Sequence, residues 1–294
     1  MVKFSVGLFG LENLVGGDLK ALADLVGHAD RAGIHQLDIS EHVVMGKHVG
    51  KYPYGDFPLP PDGPWPDALT VLTACAMRTE NIRLSTGVLL SPLRNAAALA
   101  KQLATMDRLS GGRLEIGIGT GWQREEYEAC NVPFEGRFGL LHEQVAVMKT
   151  LWRDSPASFS GRHHDFSDIY CQPQPVQPGG VPIWYGMAAS DRNAVRIAEL
   201  ADGWAPLLED PELVASSLDR IRAEMTRLGR RVDDFPVRLV LSPVFTDGVP
   251  DLEATLAKIP AFRDAGVTMF EIAAIAFVYK AEDFEGFCAR LASY

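Results

Sequence analysis

Several things are scarce or missing in these 294 residues, and each absence removes a class of protein. Basic residues are in deficit, 28 Lys+Arg against 38 Asp+Glu for a net charge of −10. A nucleic acid or an anionic membrane surface is therefore not the expected partner, since both need a basic face. The four cysteines (Cys75, Cys130, Cys171, Cys288) are scattered without a CxxC pair, which argues against a disulfide framework or a structural zinc site. No HxH or HExxH occurs, so no metal is expected, and His163-His164 lies in an insertion away from the expected site. No run of 18 apolar residues appears, and the start lacks a basic segment followed by an apolar one. A cytoplasmic protein is the resulting expectation.

What is present is a packed chain, 47 % hydrophobic and 22 % charged, a mixture that excludes disorder and coiled coil. Short β-type runs recur at 4–9, 34–39, 82–90, 114–118, 181–185, 203–206, 237–245 and 268–275. A segment of helical periodicity follows each, near 18–31, 67–79, 96–109, 138–152, 190–201, 212–228, 251–265 and 282–292. The fourth shows its stripe in Phe138, Leu141, Val145, Met148 and Trp152. Eight alternating β and α units predict an α/β fold, a (β/α)8 TIM barrel forming one domain over 1–294. Two connections exceed plain turns: 43–66 after the second strand and 119–136 after the fourth. Both leave strand C-termini, the face where such barrels carry their chemistry. A third insertion, 154–180, follows the fourth helix and starts from the opposite face. Its run at 173–178 (PQPVQP) predicts an extended tether.

Three motifs sit at the expected mouth. Gly117-Ile118-Gly119-Thr120-Gly121-Trp122 follows a strand, but the dinucleotide fingerprint needs a third glycine where Trp122 stands. The glycines then serve close backbone approach to a flat ligand, or only shape a turn. His42 ends the second strand, where alternation turns Gln36, Asp38, Ser40 and His42 toward the barrel axis. An imidazole there suits proton transfer near neutral pH, and taken alone it suits a structural hydrogen bond equally. Gly186-Met187-Ala188-Ala189-Ser190 precedes a helix with Ser190 as its N-cap, which makes an anion site or an ordinary βα turn.

Together these pieces resemble the luciferase-like flavin- and deazaflavin-dependent oxidoreductases, in particular the probable F420-dependent oxidoreductases of actinobacteria. The resemblance runs from about 34 to about 206. It is carried by Ser40-Glu41-His42, by 82–95 (IRLSTGVLLSPLRN) and by 100–122 (AKQLATMDRLSGGRLEIGIGTGW). Glu125-Glu126-Tyr127, Val132-Pro133-Phe134, Arg137, Glu143, Leu151-Trp152, Pro182-Ile183-Trp184 and Ala201-Asp202-Gly203-Trp204 extend it. It implies F420, with FMN as the alternative, held at the barrel mouth for reaction with a small-molecule substrate. It implies His42 as the acid/base group and Glu41 beside the ring. Gly87-Val88 becomes a bulge with a non-proline cis peptide behind the ring, and Thr120 and Gly121 become ring or ribityl contacts. Gly186, Met187, Ala188, Ala189 and Ser190 become the phosphate cradle, although Met187 stands where the family often has a second glycine. Trp122 is expected to shape the substrate pocket. It replaces the glutamate of the sugar-phosphate dehydrogenase branch, and tryptophan cannot donate that proton. A homodimer is implied, with a flavin reductase as partner if the cofactor is FMN. A non-catalytic cofactor-binding protein on the same scaffold is the alternative from a different class.

Alternation also makes a prediction at the closed end of the barrel. It turns Arg83, Glu115, Arg238 and Glu271 inward on neighbouring strands, so Arg83–Glu115 and Arg238–Glu271 are expected as ion pairs with a role in folding.

Overall fold

The computed structural model describes residues 2–57 and 59–294. Five parallel strands pair in the order Arg83–Thr86 (β3), Gln36–Ile39 (β2), Lys3–Gly7 (β1), Met269–Ala273 (β12) and Arg238–Val240 (β9). Three more, Ile116–Ile118 (β4), Ile183–Tyr185 (β7) and Gly203–Trp204 (β8), form a second parallel group. Parallel bridges Leu84↔Leu114 and Trp204↔Val237 join the two groups at both edges. Eight strands therefore close on themselves in chain order, which is the predicted barrel.

Alternation sorts the side chains as expected. Phe4, Val6, Leu37, Ile39, Leu84, Leu114, Ile116 and Ile118 are buried against the surrounding helices. Those helices are Leu19–Ala32 (α1), Ala68–Ala76 (α2), Ala96–Leu109 (α3), Arg137–Arg153 (α5), Asp191–Leu200 (α6), Pro211–Arg227 (α7) and Phe284–Ala292 (α10). Several start on the signals the sequence carries. Asp18, Asp67, Asn95 and Asp210 each accept backbone N–H groups of the first turn, and Gly33 ends α1 in the left-handed conformation at φ 83°.

Four features differ from the sequence reading. The expected helix at 251–265 is two short ones, Leu252–Leu256 (α8) and Ile259–Asp264 (α9), with Pro260 opening the second. The run at 237–245 stops at Val240, and Val244–Thr246 (β10) forms a separate hairpin with Val249–Asp251 (β11). The insertion at 119–136 contains a short helix, Arg124–Ala129 (α4). The insertion at 154–180 contains a hairpin of Ala157–Ser160 (β5) and Asp165–Ile169 (β6) before its tether. Glu143 of α5 holds that hairpin's turn, accepting from the amides of Arg162, His163 and His164.

The barrel interior is charged. Arg83 pairs with Glu115, which also accepts from Gln36 Nε2 at 2.7 Å, and Gln177 of the tether reaches Arg83 at 3.1 Å. Arg238 meets Glu271 at 3.3 Å, as expected, but its nearer partner is Asp38 at 2.5 Å. It also donates to Gln36, Ser85 and the carbonyl of Thr86. Alternation places Asp38 inward but not at this depth, so its part in the network was missed. Burial pushes the carboxyls of both Asp38 and Glu271 up, Glu271 to about 8, against the pull of Arg238.

Candidate active site

The mouth is built around an irregular end to β3. After Thr86 the chain bulges through Gly87-Val88, whose peptide bond is cis, and pairing resumes at Leu89↔Ile118. The bulge is fastened on several sides. Gly87 N–H donates to Ile39 O at 3.0 Å, Ser40 Oγ donates to Gly87 O at 3.1 Å, and Leu89 exchanges backbone bonds with Gly117 and Gly119. Asp38 lies directly beneath, since a Cβ on Gly87 would stand 2.2 Å from its Oδ1.

The bulge also accounts for the glycines on the neighbouring strands. A Cβ at Gly117 would meet Thr86 O at 2.1 Å, and one at Gly119 or Gly186 would meet a Val88 methyl at 2.5 or 2.3 Å. Gly121 has φ 61°, and a Cβ there would press on Leu90 at 3.1 Å. Val88 thus projects across the mouth into space that Gly119 and Gly186 leave open. The glycine run is shaped by strand β3 and not by a dinucleotide.

His42, 9 % exposed, stands beyond the end of β2. Its Nδ1 lies 3.2 Å from Glu126 Oε2, and the other oxygen of Glu126 accepts the Val43 amide at 2.7 Å. Glu126 belongs to α4 and is fully buried. An ionised carboxylate only accepts, so this contact assigns the proton of a neutral His42 to Nδ1 and leaves the Nε2 lone pair unengaged by Glu126. The sequence carried Glu126 as part of a resemblance without a role. A buried glutamate on a short helix after a barrel strand was the available signal. The two insertions are stapled together here, with Gly46 N–H donating to Gln123 Oε1 at 2.6 Å and Gln123 Nε2 donating to Gly46 O at 3.1 Å.

Rings surround the imidazole. Trp65, Phe57 and Trp122 lie at centroid distances of 4.7, 5.8 and 6.2 Å, all edge to face. Tyr52 contacts both Phe57 and Trp122, and Phe9 packs on Trp65 at 4.9 Å. Trp122 is therefore beside His42, and the aromatic content of 43–66 joins it there. Individual rings of that loop were not singled out in the sequence, because a 24-residue connection has no periodicity to read.

The other expected site residues fall into two groups. Glu41 is buried, with one oxygen accepting Leu90 N–H at 2.8 Å and the other paired with Arg94. Burial pushes its carboxyl up against the pull of that arginine. Its oxygens hold the turn after β3, so the side chain has a structural task whatever else it does. Thr120 is buried beside Gly121, and its carbonyl accepts the Tyr127 hydroxyl. Residues 186–190 are tied from behind. Trp204 Nε1 donates to Met187 O at 2.9 Å, Asn193 Nδ2 to Ala188 O at 2.9 Å, and Arg220 to Ala189 O at 2.6 Å. Ser190 caps α6 without a side-chain hydrogen bond, and Ala188 and Ser190 are exposed. The first-turn N–H groups of α6 thus receive no acceptor from the Ser190 side chain. Met187 is buried and does not enter that space.

A closed parallel barrel with a buried histidine–glutamate contact at its C-terminal mouth is an architecture that barrel enzymes share. The chain belongs to the luciferase-like monooxygenase family, whose model matches residues 4–285. Over 193 residues it is 33 % identical to an uncharacterized protein of Mycobacterium tuberculosis, covering 63 % of this chain and 67 % of that one. It is 35 % identical over 188 residues to an F420-dependent glucose-6-phosphate dehydrogenase of Kineococcus radiotolerans, covering 62 % of this chain and about half (51 %) of that one. Among solved structures, the monooxygenase RslO1 from Streptomyces bottropensis superposes with a TM-score of 0.80 at 21 % identity, over 99 % of this chain and 98 % of that one. An F420-dependent secondary alcohol dehydrogenase, in complex with an F420–acetone adduct, does so with a TM-score of 0.76 at 13 % identity, over 99 % and 97 %. At those identities the structures speak for the fold. Family and relatives together make the protein an enzyme. Among the described residues no helix is long and apolar enough to cross a membrane.

Proposed function

We propose that the protein is an F420-dependent oxidoreductase that moves a hydride between the deazaflavin and a small organic substrate, with His42 as the acid/base group. The observation that carries this reading is the buried His42–Glu126 contact at the barrel mouth. The residues fit such a cofactor. Gly87-Val88 offers a backbone wall, Gly119 and Gly186 present no side chain opposite it, and the uncapped start of α6 suits a phosphate. When bound, F420 supplies a two-electron hydride donor or acceptor that resists oxygen.

Each residue then has a task. Glu126 is a positioning residue: it accepts from Nδ1 and fixes the tautomer, so Nε2 takes the hydroxyl proton in the oxidation direction and returns it to a carbonyl oxygen in reduction. The aromatic side chains of Phe57, Trp65 and Trp122 exclude water from that transfer. Ser40 holds the bulge against which the flat ring would lie, and Asp38 lies beneath it. We further propose that two chains form a homodimer, which sedimentation at micromolar concentration tests.

The experiment is a parallel titration of the cofactor-free protein with F420 and with FMN. Tight F420 binding is expected. Tight FMN binding without measurable F420 binding overturns the reading in favour of an FMN monooxygenase served by a reductase. His42→Ala is expected to lower turnover by about 10²–10⁴ while cofactor affinity changes little. An unchanged specific activity with a collapsed thermal transition would assign His42 to the fold instead.

A further inference from the structure

Two hydrogen-bond donors beside His42 have no acceptor. The indole N–H groups of Trp65 and Trp122 are both shielded from solvent, and among the described residues neither finds a partner. Buried tryptophan normally places its N–H on an acceptor, as Trp152 does with Ala100 O and Trp204 with Met187 O in this same chain. The exceptions here come from different insertions, one in 43–66 and the other in 119–136, and they flank a single imidazole at 4.7 and 6.2 Å. Phe57 bridges them, 6.1 Å from Trp65 and 5.7 Å from Trp122. The bases of the loop, Lys47, His48 and Lys51, are all exposed. Among the described residues, the contacts of His42 are thus flat rings, two of them carrying unmatched neutral donors, and the carboxylate of Glu126.

We propose that this cage recognises an uncharged, planar substrate through a carbonyl-type oxygen that accepts from Trp65 Nε1–H or Trp122 Nε1–H. The proposal rests on the reading of His42 as the acid/base group, and it names the substrate class that reading leaves open. A ligand oxygen in this position receives the donors that the protein leaves unmatched, and the same atom lies beside the imidazole that exchanges its proton. A sugar phosphate offers the cage neither a flat apolar face nor a charge it can pair. The ring carbonyls of a flavin or deazaflavin present the same acceptor chemistry, so the test separates the two sources.

The probes are acetophenone and α-methylstyrene, which share a planar framework and differ by a carbonyl oxygen in place of a methylene. Their affinities for the cofactor-free protein, for Trp65→Phe and for Trp122→Phe are measured by calorimetry, with thermal unfolding checked for each variant. Phenylalanine keeps the apolar face and removes only the donor. One neutral hydrogen bond corresponds to about tenfold in affinity. At least one variant is therefore expected to weaken acetophenone about tenfold while leaving α-methylstyrene within about twofold. F420 and FMN titrations of the same variants form the second arm. If both variants weaken cofactor binding and leave acetophenone unchanged, the donors serve the cofactor and the proposal falls. Equal losses on both probes, no measurable acetophenone binding, or tighter binding of glucose 6-phosphate than of acetophenone would each overturn it. Failure of both cofactors to bind the wild-type protein removes the F420 reading separately, since the probe comparison needs neither.

Discussion

Replacing Glu271 by glutamine should stabilise the protein progressively as pH rises, and the barrel interior says by how much. Asp38 and Glu271 share the guanidinium of Arg238, which lies 2.5 Å from Asp38 and 3.3 Å from Glu271. All three side chains are at most about a tenth exposed. One guanidinium does not hold two adjacent carboxylates ionised in such a setting. Burial, with the Asp38 carboxyl alongside, pushes Glu271 from 4.5 to about 8 against the pull of Arg238. Between these values the folded chain holds a proton that the unfolded chain has lost. Raising the pH through that window therefore favours unfolding, by about 1.4 kcal/mol per pH unit and about 5 kcal/mol across the whole of it. Glutamine is neutral at every pH and nearly the shape of the protonated acid. The difference in unfolding free energy between Glu271→Gln and wild type, from urea titrations at pH 5 to 9, should climb with about that slope up to pH 8 and then level. Glu12 and Glu41, also pushed up by burial, cancel in the difference because both proteins carry them. Two curves separated by a constant offset would refute the reasoning. Asp38→Asn is the contrasting case, since it removes the carboxyl nearest Arg238 and should cost about 3–5 kcal/mol.

Two further outcomes follow from the same geometry. Glu115→Ala should lower stability in urea by about 1–3 kcal/mol, less than a fully buried pair would lose, because Arg83 is 25 % and Glu115 13 % exposed. Gly119→Ala should cost about 1–3 kcal/mol, since its methyl would stand 2.5 Å from Val88, and adding Val88→Ala should recover part of the loss.

Much of the fold was legible because its signals are local. Eight apolar runs of period two alternate with helical stripes, and Asp18, Asp67, Asn95 and Asp210 stand just ahead of their helices. The inward set on β3, β9 and β12 and just ahead of β4 follows from the same period, which is why Arg83–Glu115 and Arg238–Glu271 were predictable as contacts. What alternation does not carry is depth. It turns Asp38, Arg238 and Glu271 inward alike, and only the side-chain positions show that Asp38, at 2.5 Å, lies nearer the guanidinium than Glu271, at 3.3 Å. The loop 43–66 was illegible for a different reason. Its contacts are made with Phe9 and Trp122, far away in sequence, so no pattern within the loop marks Trp65 or Phe57 as neighbours of His42.

The glycines at 117, 119 and 121 show how a motif can be read correctly as exceptional and still for an incomplete reason. In the sequence they invite a ligand, because glycine exposes backbone. In the structure the space above each is already claimed by the preceding strand: Thr86 O over Gly117, Val88 over Gly119, Leu90 over Gly121. The residues doing the claiming are every second one of β3 and its bulge, so the two patterns are one feature seen from two strands. A side chain at Gly119 would push back Val88, and Val88 also fills the gap left by Gly186 just past β7. The bulge therefore needs small residues on two other strands before it can stand where a flat cofactor would meet it. That dependence ties Gly87-Val88, the glycine run and Gly186 into one wall, and it explains why residues so distant in sequence carry a single part of the proposed site.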